Sequence, residues 1–394
     1  MSARELADVA DVSGFGFDTL ALLVVVGMVG PLLTAIPRFT IPVIIGELAA
    51  GMVIGRTGFG IVDTTDATFT LLANIGFALV MFLVGTHVPV RDPALRAGLW
   101  KAVLRAVLVG VVAAVLGVLL STAFGTGHAL LYGVLMASSS AAVALPVIDG
   151  LNLEGPSVLS VKAQIAIADA ACIVALPLAI DPQRAPKAAL GALAVTGCAV
   201  VMFFVMRHFE RDGTRTRLRE YSKRHRLALE LRISLILLFA LSALAISTHV
   251  SIMLAGFALG LVVNAIGEPK RLARQLLGVT EGFFGPLFFV WLGASLQVRE
   301  LVDRPEFIGL GVALGVGAVI AHCVGRVAGQ PIPLGVVSAA QLGVPVAAAT
   351  VGTEQGLLAP GEPSALILAA LLTIGATSAA GGIAKRRQPA ADAR

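Results

Sequence analysis

Charge is what this sequence has least of. Asp, Glu, Lys and Arg make up 13% of the 394 residues, while hydrophobic residues make up 57%; a soluble globular chain carries about 25% charged residues. Too little charge is available for a soluble surface, so lipid is the solvent for most of the chain. Cysteine is also scarce. Cys172, Cys198 and Cys323 are odd in number, scattered and set in apolar runs, so they read most simply as small packing residues and not as a disulfide framework or metal cluster. No H-E-x-x-H signature, pair of acids at one depth or Ser–His arrangement is legible, so the chain is not read as an enzyme and no cofactor is implied. The opening MSARELADVADVSGFGFD is acidic and has no cleavage-site pattern, which speaks against a removable signal peptide. No stretch is long and polar enough for a separate soluble regulatory domain.

What is present is apolar and periodic in its punctuation. Hydropathy, with Pro, Gly and charge as boundaries, gives thirteen apolar segments, near 18–36, 41–57, 67–86, 98–122, 128–148, 159–181, 188–208, 229–247, 250–266, 279–298, 306–326, 333–355 and 363–384. They are continuously apolar rather than alternating, which excludes a β-barrel. The expected fold class is an all-α integral membrane protein. By our count about 23 of the 29 Lys and Arg fall in alternate connections, among them Arg38, Arg91, Arg96, Lys101, Lys270, Arg271, Arg274 and the tail at 385–387. The positive-inside bias then sets the N-terminus outside and the C-terminus in the cytoplasm. The run RHFERDGTRTRLREYSKRHR (207–226) is part of this bias, so it needs no nucleic acid to explain it and instead suits contact with anionic lipid headgroups. As a basic cytoplasmic loop, 209–228 leaves about six spans on each side. That is the arrangement of two inverted repeats, 18–208 with a linker helix and 229–384.

Three segments carry recognisable motifs. The second reads IPVIIGELAAGMVIGRTGFG, with Pro42 at its first turn and Glu47 between Gly46 and Gly51; the third ends in GFALVMFLVGTHVP; the tenth contains EGFFGPLFFVWLGASLQV. In this order they resemble the second branch of the monovalent cation:proton antiporters, the Kef-type exchangers, from about residue 20 to 384. The resemblance implies the sodium/proton antiporter fold with discontinuous crossing helices and exchange of protons for Na⁺ or K⁺. It also implies a homodimer in the cell inner (plasma) membrane, with a core of spans 4–6 and 11–13 and a panel of spans 1–3 and 8–10. Glu47 would line an entry funnel or make a structural hydrogen bond; the residues alone fit both.

Asp169 stands near the middle of AQIAIADAACIVALPLAI (163–180), with no Lys, Arg or His beside it. An acid at a helix centre costs about 2.5–3.5 kcal/mol on insertion scales, so it calls for a partner or a function. A packing hydrogen bond is one reading. The other is a titratable carboxylate where a proton and a monovalent cation, bound transiently as a metal ion, compete for the same oxygens. Further oxygens would come from Ser138, Ser139 and Ser140 in LMASSSAAVALPVIDGLNL (135–153), where three serines weaken the helix before Pro146. Small-residue packing fits the same residues, and the resemblance favours a broken helix. The twelfth span, VVSAAQLGVPVAAATVGTEQG (336–356), should be its mate, with the break at Gly343 and Pro345 and polar groups at Gln341 and Thr350. His322 would tune proton release or serve as a hydrogen-bonded helix-end residue, and Arg326 marks the inner boundary.

The sequence departs from the family at Ala168, where a Gln is usual, at His87 and Pro89, where an acid usually follows the motif of the third segment, and at Leu342–Pro345 in place of R-G-E-F. These leave the transported ion open. Relatives that move unequal charge tend to carry a mid-helix Lys in the eleventh span, whose middle here (GLGVALGVGAVIA, 309–321) has none; with one titratable acid, the resemblance then implies one proton exchanged per cation, an electroneutral process. The alternative is a cation channel or ligand-gated potassium efflux system, but no ring of carbonyls or charges is legible to form a filter.

Overall fold

A computed structural model of the chain describes residues 15–35, 43–87, 93–181, 185–225, 227–248, 250–267, 270–296, 299, 301 and 304–387. Arg38, Pro42, Pro89 and Arg91, used in the topology and motif readings, lie outside the described residues. The described secondary structure is entirely helical: α1 Phe17–Gly27, α2 Val29–Thr34, α3 Val43–Ile54, α4 Ala67–His87, α5 Pro93–Phe124, α6 Ala129–Ala137, α7 Ala141–Gly150, α8 Pro156–Ile180, α9 Ala185–Arg211, α10 Thr214–Arg224, α11 Leu229–Ser247, α12 Ile252–Ile266, α13 Lys270–Val279, α14 Gly285–Ser295, α15 Pro305–Cys323, α16 Ile332–Val337, α17 Gly343–Glu354 and α18 Glu362–Arg387. A π-turn at Thr280–Phe284 joins α13 to α14, and a 3₁₀ turn at Val324–Ala328 extends α15. Among the described residues ten helical stretches are long and apolar enough to cross a membrane, and α3, α12 and Gly343–Thr353 are shorter apolar helices. Each of the thirteen expected segments coincides with one of these. Large apolar residues along α5 and α9, among them Val107, Val111, Val115, Leu190, Leu193 and Phe204, are exposed, as lipid-facing residues must be. The chain is a multi-pass membrane protein.

The basic connection is more ordered than a loop. Gly213, with φ of +70°, follows α9, and TRTRLREYSKR then forms α10, because Arg, Leu, Lys and Glu favour helix even where little apolar surface is buried. Arg215 pairs with Glu210 at 3.1 Å and Arg219 with Glu230 at 2.9 Å, which ties α10 to the helices before and after it.

The helices group into two compact units, Met1–Gly76 with Glu281–Leu296 and Phe77–Thr280 with Gln297–Arg394. In the first, α3 lies against α14. A Cβ at Gly51 would overlap the Val290 carbonyl, and one at Gly55 the Ala294 backbone, so only glycine permits this approach. Trp291 Nε1 donates to the Thr64 carbonyl at 3.2 Å. Glu47 is 3% exposed, its Cγ packed over Gly30.

In the second unit glycines again set the spacing. Gly256 and Gly260 of α12 face the carbonyls of Ala78 and Phe82, and Gly311 and Gly315 of α15 face Ala365 and Ala369 of α18. This unit also contains both interrupted helices, α6/α7 and α16/α17, together with α8 and α15.

Candidate ion and proton site

The serine run breaks its helix. α6 ends at Ala137, and Ser138 (φ −70°, ψ 145°) and Ser140 (φ −105°, ψ 109°) are extended before α7 begins at Ala141. Serine hydroxyls compete for backbone groups and favour caps over helix interiors; here Ser138 Oγ donates to the Leu135 carbonyl at 2.7 Å. The second break lies slightly earlier than Gly343 and Pro345 suggested. α16 ends at Val337, residues 338–342 are non-helical, and Gly343 is already the first residue of α17. Pro345 therefore sits in the first turn, where its missing N–H costs no hydrogen bond, so it starts the half-helix instead of interrupting it.

The two breaks meet. The Ser140 N–H donates to the Ala340 carbonyl at 2.6 Å, Ser139 Oγ donates to the Ser338 carbonyl at 2.7 Å, and Gln341 Nε2 donates to the Leu135 carbonyl at 2.6 Å. A helix interruption strands backbone donors and acceptors, and each break supplies partners for the other. Thr373 and Thr377 on α18 support the second break: Thr373 Oγ1 accepts from the Gln341 N–H at 3.1 Å, and Thr377 Oγ1 donates to the Val336 carbonyl at 3.3 Å.

Asp169 faces this crossing. It lies in α8, 3% exposed, and its Oδ2 accepts from the N–H of Ala141, the first residue of α7, at 3.0 Å. The positive end of the half-helix thus does part of what a Lys or Arg would do for a carboxylate. Among the described residues no ion pair reaches it. The residues brought together are Asp169, Ser138, Ser139, Ser140 and Gln341. His322 joins them more closely than a helix-end residue would. It is fully buried, with Nδ1 at 2.9 Å from the Ala318 carbonyl and Nε2 at 3.3 Å from Ser139 Oγ. A carbonyl only accepts, so Nδ1 carries the proton and Nε2 faces the hydroxyl. Thr350 is not part of the crossing; it is seven residues into α17, about 10 Å along the axis from Gly343. Gln164, with a buried Oε1 lacking a hydrogen-bond partner, lies about 140° around α8 from Asp169. Arg326 is exposed and lines a cavity of about 420 Å³ with Glu154, Ser157, Pro333 and Arg387.

Arg105 escaped the sequence reading. It is 4% exposed within α5. Nη2 donates to the Ala328 carbonyl at 3.0 Å and Nη1 to Ser160 Oγ at 3.0 Å. The guanidinium caps the carbonyl end of the α15 extension and pins α8 beside it, a favourable place for a cation. Replacing Arg105 with Met is expected to cost about 1.5–3 kcal/mol, because charged hydrogen bonds to the part-buried Ala328 carbonyl and to Ser160 are lost. Lys, with one compact head, should restore only part of this. Thermal unfolding in detergent, followed by the loss of monodisperse protein, measures both.

Residues 21–383 match the family described as "sodium/hydrogen exchanger, transmembrane". A Bacillus subtilis protein that carries a Na(+)/H(+) antiporter name, YjbQ, is 24% identical over 90% of this chain and 61% of its own. The glutathione-regulated potassium-efflux system protein KefC of Salmonella heidelberg is 28% identical over 91% of this chain and 59% of its own. The chain therefore spans about three fifths of the length of these relatives. The solved structure of the sodium proton antiporter MjNhaP1 from Methanocaldococcus jannaschii superposes with a TM-score of 0.66 at 16% identity, covering 94% of this chain and 98% of that one, which establishes a shared fold. With a match across nearly its whole membrane region, this chain belongs to the sodium/hydrogen exchanger transmembrane family.

Proposed function

We propose that the chain exchanges protons for a monovalent cation, Na⁺ or K⁺, across the membrane by alternating access, with Asp169 as the shared carboxylate. The observation that carries this reading is the position of Asp169 at the junction of two interrupted helices, where α7 points its N–H groups at the acid and the serines and freed carbonyls offer oxygen. A cation needs several oxygen ligands, whereas a proton needs only the carboxylate; the two therefore compete, and the occupant leaves when the other arrives. The names of the relatives support both ions: YjbQ carries a sodium antiporter name and KefC a potassium-efflux name.

The exchange is electroneutral in this reading. One carboxylate trades one proton for one cation, and the buried Arg105 holds its charge throughout, since a guanidinium does not deprotonate. Positive-inside bias supports an N-terminus outside and a C-terminus in the cytoplasm of the plasma membrane. The resemblance supports a homodimer and two inverted repeats at 18–208 and 229–384. The test is reconstitution into proteoliposomes with an imposed pH gradient and additions of Na⁺, K⁺ and Li⁺. The expected result is dissipation of the gradient by at least one of them, at a rate independent of a clamped membrane potential. A potential-dependent rate would overturn electroneutrality, and conductance above carrier turnover would favour the channel.

A further inference from the structure

One cluster of titratable groups takes no part in this exchange. Glu362, the first residue of α18, is fully buried. Its Oε1 accepts from the Tyr132 hydroxyl at 2.7 Å and lies 2.7 Å from His128 Nδ1, and its Oε2 accepts from the Ala359 N–H at 3.0 Å. His128 is the N-cap of α6, with its side chain 26% exposed, and Tyr132 is buried one turn along. A single buried acid therefore ties the start of α6 to the start of α18. α6 has only nine residues. Its other end carries Leu135 and Ser138, where the Gln341 side chain is held, so a shift at His128 reaches the break along about 14 Å of rigid helix.

We propose that Glu362, His128 and Tyr132 form a proton-responsive latch that sets the position of α6 and, through it, the Ser138–Ser140 break. The inference rests on the exchange reading, and on the orientation reading for the side that supplies the proton. On α8, which packs on α6, Lys162 pairs with Asp149, Asp169 lies at the crossing and Asp181 follows the last turn; in this proposal His128 is the group that changes. α5, packed on α6, ends in LSTAF without a titratable side chain. α15 brings Phe307 against Gly361 and begins with exposed Arg304 and Glu306. α17 ends at Glu354, whose side chain is outside the described residues. The hydrogen bond to Glu362 holds His128 above the ordinary imidazole value; partial burial opposes this, and the Glu362 charge and a Leu357 backbone contact add to it. A raised imidazole makes the charge-assisted contact complete below its ordinary value near 6.5 and weakens it as pH rises through the raised one. The cluster then tightens the half-helix in acid and relaxes it in base.

His128→Gln keeps an amide donor and mimics the neutral ring at every pH. In proteoliposomes of the full chain, with pH varied on the side where α6 begins, the variant's apparent KM for the cation should be about fivefold above wild type at pH 6, and the ratio should fall to one by pH 9. Tyr132→Phe removes a neutral donor and should raise KM by the same factor at every pH. A His128→Gln ratio that stays constant with pH marks a merely structural contact and overturns the latch. Nitrogen-15 histidine resonances of the solubilised protein provide a readout independent of transport. The His128 midpoint should lie above the ordinary value in wild type and drop in Glu362→Gln. An ordinary midpoint in wild type overturns the latch whether or not exchange is seen, whereas absence of exchange in wild type counts against the transport reading alone.

Discussion

Proteoliposomes carrying Asp169→Asn are expected to show no cation-driven dissipation of a pH gradient, at least about a hundredfold below wild type, the equivalent of about 2.8 kcal/mol in site affinity. The substitution is close to isosteric. The Asn oxygen still accepts from the Ala141 N–H, so the link from α8 to α7 seen at 3.0 Å survives, and the protein should elute as the wild type does. What goes is the charge, and with it the competition between proton and cation for one pair of oxygens. The loss is large because no other acid hydrogen-bonds to the crossing among the described residues. Exchange by Asp169→Asn at the wild-type rate would end the proposed mechanism. A folded but silent variant would separate the role of the charge from that of the hydrogen bond.

Gln341→Leu should be the most damaging change that leaves every charge in place. Gln341 Nε2 is 2.6 Å from the Leu135 carbonyl, and Leu of similar volume removes that donor while filling the space. The Leu135 carbonyl keeps the Ser138 N–H and Oγ as donors but loses its link to the second break, a net loss of about 0.5–1.5 kcal/mol for one hydrogen bond, and the two breaks are left with the Ser140–Ala340 and Ser139–Ser338 bonds. About tenfold weaker apparent cation affinity is expected, with the maximum rate changed less, because the carboxylate and its α7 partner are untouched. A KM equal to wild type would mean that Gln341 only fills space. Stability measured in parallel separates a loosened crossing from an unfolded chain.

Much of this molecule was legible before any coordinates. A chain this apolar and poor in charge has to be read as membrane helices, and hydropathy punctuated by Pro, Gly and charge is enough to space the spans. Three consecutive serines predict an interruption because their side chains compete with the helix for its backbone, and an acid without a cationic neighbour signals a site. The second break was misplaced by a few residues, since Pro345 is ambiguous in sequence: the same residue interrupts a helix from within and begins one from its first turn. Arg105 was hidden because a lone cation near a span boundary reads as topology until its distant acceptors, Ala328 and Ser160, are known. Glu362 and Tyr132 were hidden for the same reason, sitting 230 residues apart.

The sequence by itself determined the solvent, the number of spans, the two weak points in otherwise continuous helices and the acid that lacks a partner. Only the tertiary structure decided that the weak points face each other and that Asp169 receives the N–H of Ala141. Helix propensity and hydropathy are local and survive in a list of residues. The partners of a broken helix are backbone groups, identical in every residue, so nothing in the sequence says which carbonyl Ser140 or Gln341 will find; that is settled when packing brings the two interruptions together.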